Sequence, residues 1–62
     1  MQVTLKAARV NAGLTRKAVA EAVGINAETL KGWEMGKFEP RAKAFIKLCE
    51  LYGVTPADIF LP

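Results

Sequence analysis

Histidine is absent from this chain, and cysteine occurs once, at Cys49. A disulfide within the chain needs two cysteines, and the sequence contains no cluster of metal ligands. We therefore expect no internal disulfide, no metal and no cofactor. Sparse cysteine is also typical of a reducing compartment, so we expect a cytoplasmic protein in which Cys49 is a small buried hydrophobe.

Long apolar runs are absent as well. No stretch approaches the roughly 18 consecutive apolar residues of a membrane-spanning helix. The N-terminal residues MQVTLKAARV contain no apolar segment of the kind found in a signal peptide. The sequence therefore predicts that the chain does not span a membrane.

The chain also lacks a recognisable catalytic set. Without histidine the most frequent general base is missing, and no nucleophile has a base beside it. A glycine-rich phosphate loop is missing, and neither the Glu28 and Glu34 pair nor Asp58 alone forms a credible acid–base pair. We predict that this protein is not an enzyme.

The 62 residues that are present are enough for one domain, with 52% hydrophobic residues and a net charge of +3. A chain this short buries only about 60% of its unfolded surface. We expect a stability of a few kcal/mol at most, unless the chain dimerises or belongs to a longer protein. The basic pI of about 9.4 is compatible with a nucleic-acid partner.

Residues that typically start or end helices occur at intervals along the chain and predict five short helices. Thr15 and Asn26 are suitable N-caps, and Gly13, Gly24 and Gly53 are suitable stops. No run alternates with a period of two residues, so we do not expect a sheet. The predicted helices cover residues 2–11, 16–23, 27–35, 41–52 and 56–60.

Residues 16–35, RKAVAEAVGINAETLKGWEM, have the pattern of two helices that cross at a steep angle. Ala20 is small where the helices must approach closely, Gly24 ends the first helix, and Asn26 begins the second. Apolar side chains lie at the inward positions Val19, Val23, Ile25, Leu30 and Trp33. The pattern predicts a helix-turn-helix, whose second helix commonly enters the major groove of DNA.

The chain as a whole resembles the phage repressor and Cro type of helix-turn-helix domain, often called lambda-repressor-like. The resemblance extends over residues 5–61 and depends on these stretches in this order: LKAAR (5–9), GLT (13–15), AVA (18–20), VGI (23–25), TL (29–30), WE (33–34), GK (36–37), Pro40, LC (48–49) and YGV (52–54). It implies an all-α bundle of five short helices, with residues 1–62 forming a single DNA-binding domain.

The implied function is sequence-specific binding to double-stranded DNA as a transcription regulator, of the phage or bacterial repressor or Cro type. Residues 27–35 would be the recognition helix. Glu28 can accept from a cytosine amino group, Lys31 can donate to guanine or to a phosphate, and the Ala27 methyl can touch a thymine methyl. The alternative is that Glu28 and Lys31 merely form a solvated face.

Gly32 is the fourth position expected on the base-reading face. Glycine inside a helix costs about 1 kcal/mol relative to alanine, and many relatives have a longer polar residue there. The glycine would either reduce the number of direct base contacts or let the backbone approach DNA more closely. Trp33 is interpreted as a core residue rather than a base-stacking platform, because it shares a helix face with Leu30.

Phosphate contacts are expected from the start of the second helix and from basic side chains around the motif. Free backbone N–H groups next to Thr15 can face a phosphate, and Arg16 stands where the family often has a glutamine that contacts phosphate. For each lysine, a role in solubility is equally compatible with the sequence. The expected phosphate-contacting residues are Thr15, Arg16, Lys17, Thr29, Lys37, Arg41 and Lys43.

The resemblance also implies a structural ion pair and a dimer. Arg9 and Glu34 match residues that form a partly buried salt bridge between the first helix and the end of the recognition helix. Proteins of this type usually bind an inverted repeat as symmetric homodimers, with half-sites about one DNA turn apart. The candidate dimer surface consists of Pro56, Ala57, Ile59, Phe60 and Leu61.

Three alternatives are open from the sequence alone. Ile59 and Phe60 would instead close the core if the C-terminal end folds inward. An antitoxin-like or coactivator-like module that mainly binds protein would have the same shape with little preference for DNA sequence. The chain is either a small Cro-like protein or the DNA-binding part of a longer repressor.

Overall fold

The computed structural model describes residues 2–61, which form four α-helices, one turn of 3-10 helix and a pair of short strands. The elements are β1 (Val3–Thr4), α1 (Leu5–Asn11), α2 (Arg16–Val23), α3 (Ala27–Glu34), α4 (Ala42–Tyr52), the 3-10 turn (Pro56–Asp58) and β2 (Ile59–Phe60). The mainly helical fold is confirmed, whereas the prediction of five helices is wrong.

The departure lies at the two ends of the chain. β1 and β2 pair in parallel, with Val3 opposite Ile59 and Thr4 opposite Phe60, so the prediction that a sheet is absent is also wrong. The strands contain two residues each, which is too short to display an alternating pattern. Because β2 is extended, the predicted last helix stops after one 3-10 turn.

The first helix begins later than its predicted start at residue 2. Thr4 is extended and acts as the N-cap of α1, with its Oγ1 accepting a hydrogen bond from the Ala7 N–H at 3.0 Å. An N-cap must lie outside the helix, so Val3 and Thr4 are free to pair with β2. At the other end, Thr55 donates to the carboxylate of Asp58 from both its backbone N–H and its hydroxyl. These two bonds lower the pKa of Asp58.

The helix-turn-helix is bounded by the predicted local signals. Thr15 Oγ1 accepts from the Ala18 N–H at 3.1 Å at the start of α2, and Asn26 Oδ1 accepts from the Glu28 N–H at 3.1 Å at the start of α3. Gly24 ends α2 with φ +80°, a left-handed conformation that costs glycine nothing. These three predictions are confirmed, and together they set the relative direction of α2 and α3.

One apolar core connects all four helices and β2. Leu30 and Trp33 bury the inner face of α3, and Trp33 is only 8% exposed, so the interpretation of Trp33 as a core residue is confirmed. Cys49 is also buried, and burial, with a smaller effect of the Asp58 charge, raises the pKa of its thiol. The buried apolar residues are Leu5, Ala8, Val19, Ala20, Leu30, Trp33, Leu48, Cys49, Tyr52 and Ile59.

Membrane spanning was not expected from the sequence. Within residues 2–61, no helix is both long and apolar enough to cross a membrane.

Candidate nucleic-acid interface

The outer face of α3 is the surface that the sequence predicted for base contacts. Ala27, Glu28 and Lys31 are exposed there, while Leu30 and Trp33 on the opposite face lie in the core. Across residues 2–61, neither Glu28 nor Lys31 forms an ion pair. Both side chains can therefore bind an external partner without breaking an internal contact.

Gly32 differs from its predicted position, because it is buried rather than exposed. The ring of Phe38, from the loop after α3, covers it. A Cβ added to Gly32 would lie 2.8 Å from Cδ2 and 3.2 Å from Cε2 of this ring. The expectation that Gly32 itself contacts bases is corrected, and a close approach of its backbone to DNA is blocked by the ring.

Phe38 is a residue that the sequence analysis did not select. It is 65% exposed although it rests on α3, and its loop is joined to the helix by a hydrogen bond from the Lys37 N–H to the Gly32 carbonyl at 2.9 Å. The sequence signal that could have identified Phe38 is an aromatic residue that follows shortly after a helix containing glycine. Phe38 shares a shallow groove along α3 with Glu28, Thr29, Lys31, Gly32, Met35 and Lys37.

The end of α3 is anchored by a partly buried charge cluster, which we define as Arg9, Arg16 and Glu34. Nε of Arg9 lies 2.8 Å from Oε2 of Glu34, and Nε of Arg16 lies 2.9 Å from Oε1. The Glu34 side chain is only 1% exposed. Since the three residues belong to α1, α2 and α3, the cluster joins α3 to both preceding helices.

The two arginines of the cluster differ in exposure and in the number of hydrogen bonds that their side chains donate. Arg9 is 8% exposed and also donates from Nη1 to the Leu14 carbonyl at 2.9 Å. The Arg16 side chain is 34% exposed, and within residues 2–61 its only hydrogen bond is the one from Nε to Glu34. The two terminal nitrogens of Arg16 therefore remain able to donate to an external acceptor. Sequence reasoning paired Glu34 with Arg9 but did not include Arg16.

Tyr52 lies in α4 beside this charge cluster. Its hydroxyl is buried and has no hydrogen-bond partner in the described part of the chain. Burial raises the pKa of Tyr52 to about 12, with a further contribution from the negative charge of Glu34. A buried hydroxyl without a partner is destabilising, so we expect removal of the Tyr52 hydroxyl to stabilise the fold.

The other expected phosphate-contacting residues occupy several surfaces. Thr15 and Lys17 are at the start of α2, and Lys37 lies beside Phe38. Arg41 and Lys43, at the start of α4, line a shallow groove with residues of α2 and the turn that follows it. Thr29 is half-buried on α3, whereas Thr15, Lys17, Lys37, Arg41 and Lys43 are exposed.

The expected dimer surface is only partly exposed. Ile59 is 6% exposed and belongs to the core, so its assignment to a dimer surface is wrong. It points inward because successive residues of a strand face opposite sides, which leaves its neighbour Phe60 53% exposed. Pro56 and Ala57 are exposed, and Leu61 is half-buried.

Among the residues from 2 to 61, no group of three or more His, Cys, Asp or Glu side chains is placed to hold a metal ion. The charged groups near α3 are instead arranged as a cluster buried behind the helix and unpaired side chains in front of it.

Comparison with known proteins agrees with this geometry. A family model described as Helix-turn-helix matches residues 5–59. An uncharacterized helix-turn-helix-type transcriptional regulator of Methanocaldococcus jannaschii is 33% identical over 98% of this chain and 92% of its own length. One from Archaeoglobus fulgidus is 30% identical over 98% of this chain and 86% of its own length. No solved structure matches the chain significantly.

The family match covers most of the chain, including the caps, the turn at Gly24 and the buried face of α3. This chain belongs to the lambda-repressor-like family of helix-turn-helix proteins.

Proposed function

We propose that this protein regulates transcription by binding double-stranded DNA, with α3 inserted in the major groove. The observation that carries the proposal is the division of α3 into two faces. Leu30, Trp33 and Glu34 hold one face in the interior, and Glu28 and Lys31 are exposed without ion partners on the other. Membership of the family supports the same function, as does the similarity to helix-turn-helix-type transcriptional regulators.

The exposed face of α3 has groups suited to reading bases. The Glu28 carboxylate accepts from the amino group of cytosine, and the Lys31 ammonium donates to O6 and N7 of guanine. The methyl of Ala27 reaches a thymine methyl. Ala27 and Glu28 lie in the first turn of α3 and Lys31 follows one turn later, and the N-terminal residues of a recognition helix usually contact base edges.

Phosphate contacts would fix the register of α3 in the groove without reading sequence. Arg16 is the best-supported candidate, because the bond from its Nε to Glu34 orients the guanidinium while the terminal nitrogens stay unpaired within the described residues. It lies at the start of α2, where backbone N–H groups also attract phosphate. The remaining proposed phosphate contacts are Thr15, Lys17, Thr29, Lys37, Arg41 and Lys43.

We also propose that two copies bind an inverted repeat and that the protein acts as a repressor of the Cro type. Phe60 is 53% exposed on β2 and would form the apolar centre of the dimer contact, with Pro56, Ala57 and Leu61 around it. Two recognition helices related by a two-fold axis read half-sites about one turn apart. An origin in phage or bacteria stays a prediction from the resemblance.

Selection from a randomised duplex pool at physiological salt, followed by sequencing of bound DNA, tests this function. We expect an enriched inverted repeat for the unmodified protein. Glu28→Ala is expected to relax the preference at one or two base pairs of each half-site. Glu21→Ala is the matched control, because Glu21 is equally exposed but lies on α2, and it should leave the selected sequence unchanged.

The other outcomes are equally informative. A single enriched half-site would contradict the dimer while supporting sequence-specific binding. If folded protein enriched no sequence, the proposed DNA function would be wrong, and the module that mainly binds protein would become the better explanation. A loss of all binding in Glu28→Ala, with the fold retained, would contradict a role in reading only particular bases.

A further inference from the structure

The ring of Phe38 is an apolar surface that the fold does not use in its core. It is 65% exposed, and its contact on α3 is made at Gly32, the one position of that helix without a side chain. Exposure of a single hydrophobic residue needs no explanation by itself. The position of Phe38, on the groove that contains the proposed base-reading residues, does need one.

The surroundings of the ring are mixed, because the exposed apolar side chain of Met35 lines the same groove as charged side chains. Lys31 and Lys37 line the same groove as Phe38, and the proposed DNA surface continues directly into it through Glu28. An apolar protein partner would have to bury these ammonium groups, which is costly. Duplex DNA satisfies both parts of the surface, because its phosphates attract the lysines while the major groove presents one apolar group, the C5-methyl of thymine.

We propose that Phe38 is a specificity-determining residue that contacts the C5-methyl of a thymine, held in position because Gly32 leaves room for its ring. The proposal deepens the proposed DNA function and depends on it. A side chain from the loop would then supply the contact that the helix lacks at Gly32. The Lys37 N–H bond to the Gly32 carbonyl, at 2.9 Å, holds the loop against α3 while the ring makes this contact.

Replacing thymine by deoxyuridine removes only the methyl group and tests the contact directly. The probe is the duplex selected by the unmodified protein, with each thymine substituted in turn. We expect about fourfold weaker binding at one position of each half-site, which corresponds to the loss of one buried methyl. Phe38→Ala should bind the thymine duplex more weakly by a similar factor and should no longer distinguish thymine from uracil there.

Two further variants keep the test decisive. Phe38→Leu retains an apolar side chain and should retain part of the thymine preference. Gly32→Ala places a Cβ 2.8 Å from the ring, so the ring must move and the preference should fall although Phe38 is still present. The ratio of affinities for thymine and uracil duplexes is the readout, because a general loss of folding or dimerisation lowers both affinities together.

Several results would overturn the proposal. If Phe38→Ala kept the full thymine preference, the contact would belong to another residue, with Ala27 the first to examine. If no thymine were sensitive to substitution in the unmodified protein, Phe38 would have no methyl partner, although sequence-specific binding would stand. If selection enriched no sequence at all, the proposed function and this proposal would both be wrong.

Discussion

The last turn of α3 is attached to the rest of the molecule at Glu34, whereas Gly32, two residues earlier, is covered by the loop. At Glu34 the contact is buried, charged and made with arginines of two other helices. At Gly32 the contact is apolar, made by the ring of a residue shortly after the helix, and largely exposed. The first arrangement fixes the angle of α3 relative to α1 and α2, and the second shapes the surface that α3 presents.

The contact at Glu34 is more buried than the contact at Gly32, so mutations at the two contacts should differ in their effect on the free energy of unfolding. Breaking a buried ion cluster leaves an uncompensated charge, whereas truncating an exposed ring removes little buried area. Mutations behind α3 should therefore change mainly stability, and mutations in front of it should change mainly recognition.

Glu34→Ala should have the largest effect. It leaves Arg9, which is 8% exposed, without a carboxylate, and we expect the free energy of unfolding to fall by about 3–5 kcal/mol. Chemical denaturation followed by circular dichroism measures the change. Glu28→Ala is the control, since an exposed glutamate without an ion pair should change stability by no more than about 0.5 kcal/mol. Equal losses in the two variants would contradict the structural role of the cluster.

Arg16→Ala separates the contribution of the cluster to stability from its proposed contact with a DNA phosphate. Because the arginine is partly exposed and Arg9 still pairs with Glu34, we expect a stability loss of about 1 kcal/mol. Binding to selected and random DNA should weaken alike, and the slope of log affinity against log salt should fall in magnitude by about one. An unchanged slope would remove Arg16 from the phosphate contacts.

Tyr52→Phe should stabilise the protein by about 1 kcal/mol, because it removes a buried hydroxyl that has no partner within residues 2–61. Thermal and chemical denaturation at neutral pH measure the gain. A loss of similar size would show that the hydroxyl is satisfied in solution, for example by a bound water.

The raised pKa of Tyr52 also predicts that the free energy of unfolding depends on pH in the alkaline range. The pKa of Tyr52 is about 12 in the folded protein and 10.0 for an unperturbed tyrosine, so the folded state holds this proton more tightly. Its contribution to stability is complete below pH 10.0 and is lost as the pH rises through about 12. Tyr52→Phe should lack this part of the decline. Tyr52 is the single tyrosine, so tyrosinate absorbance reports its titration directly.

Gly32→Ala should have the smallest effect on the free energy of unfolding. The size of this effect should depend on whether Phe38 is present. Alanine favours the helix by about 0.5–1 kcal/mol, but its Cβ would lie 2.8 Å from the ring. We expect the full gain in a Phe38→Ala background and a smaller gain or a loss with Phe38 present. A double-mutant cycle of unfolding free energies measures the difference, and purely additive effects would show that the ring does not rest on Gly32 in solution.

The predicted and observed structures agree best where the signals are local. Thr15, Gly24 and Asn26 act through their own backbone or that of residues a few positions away, so their roles were readable from spacing alone. Leu30 and Trp33 were readable because helical periodicity puts them on one face. The family match over residues 5–59 shows that these signals also identify the class of protein.

By itself, the sequence determined the helix boundaries of the motif, its buried face and its family, because caps, glycine turns and periodicity act over a few residues. The tertiary structure alone decided the pairing of β1 with β2, the inward position of Ile59, the inclusion of Arg16 in the Glu34 cluster and the ring of Phe38 over Gly32. The pairing, the cluster and the burial of Ile59 join residues far apart in the chain, and the cover over Gly32 depends on the path of a loop. Such contacts leave no periodic pattern in the sequence.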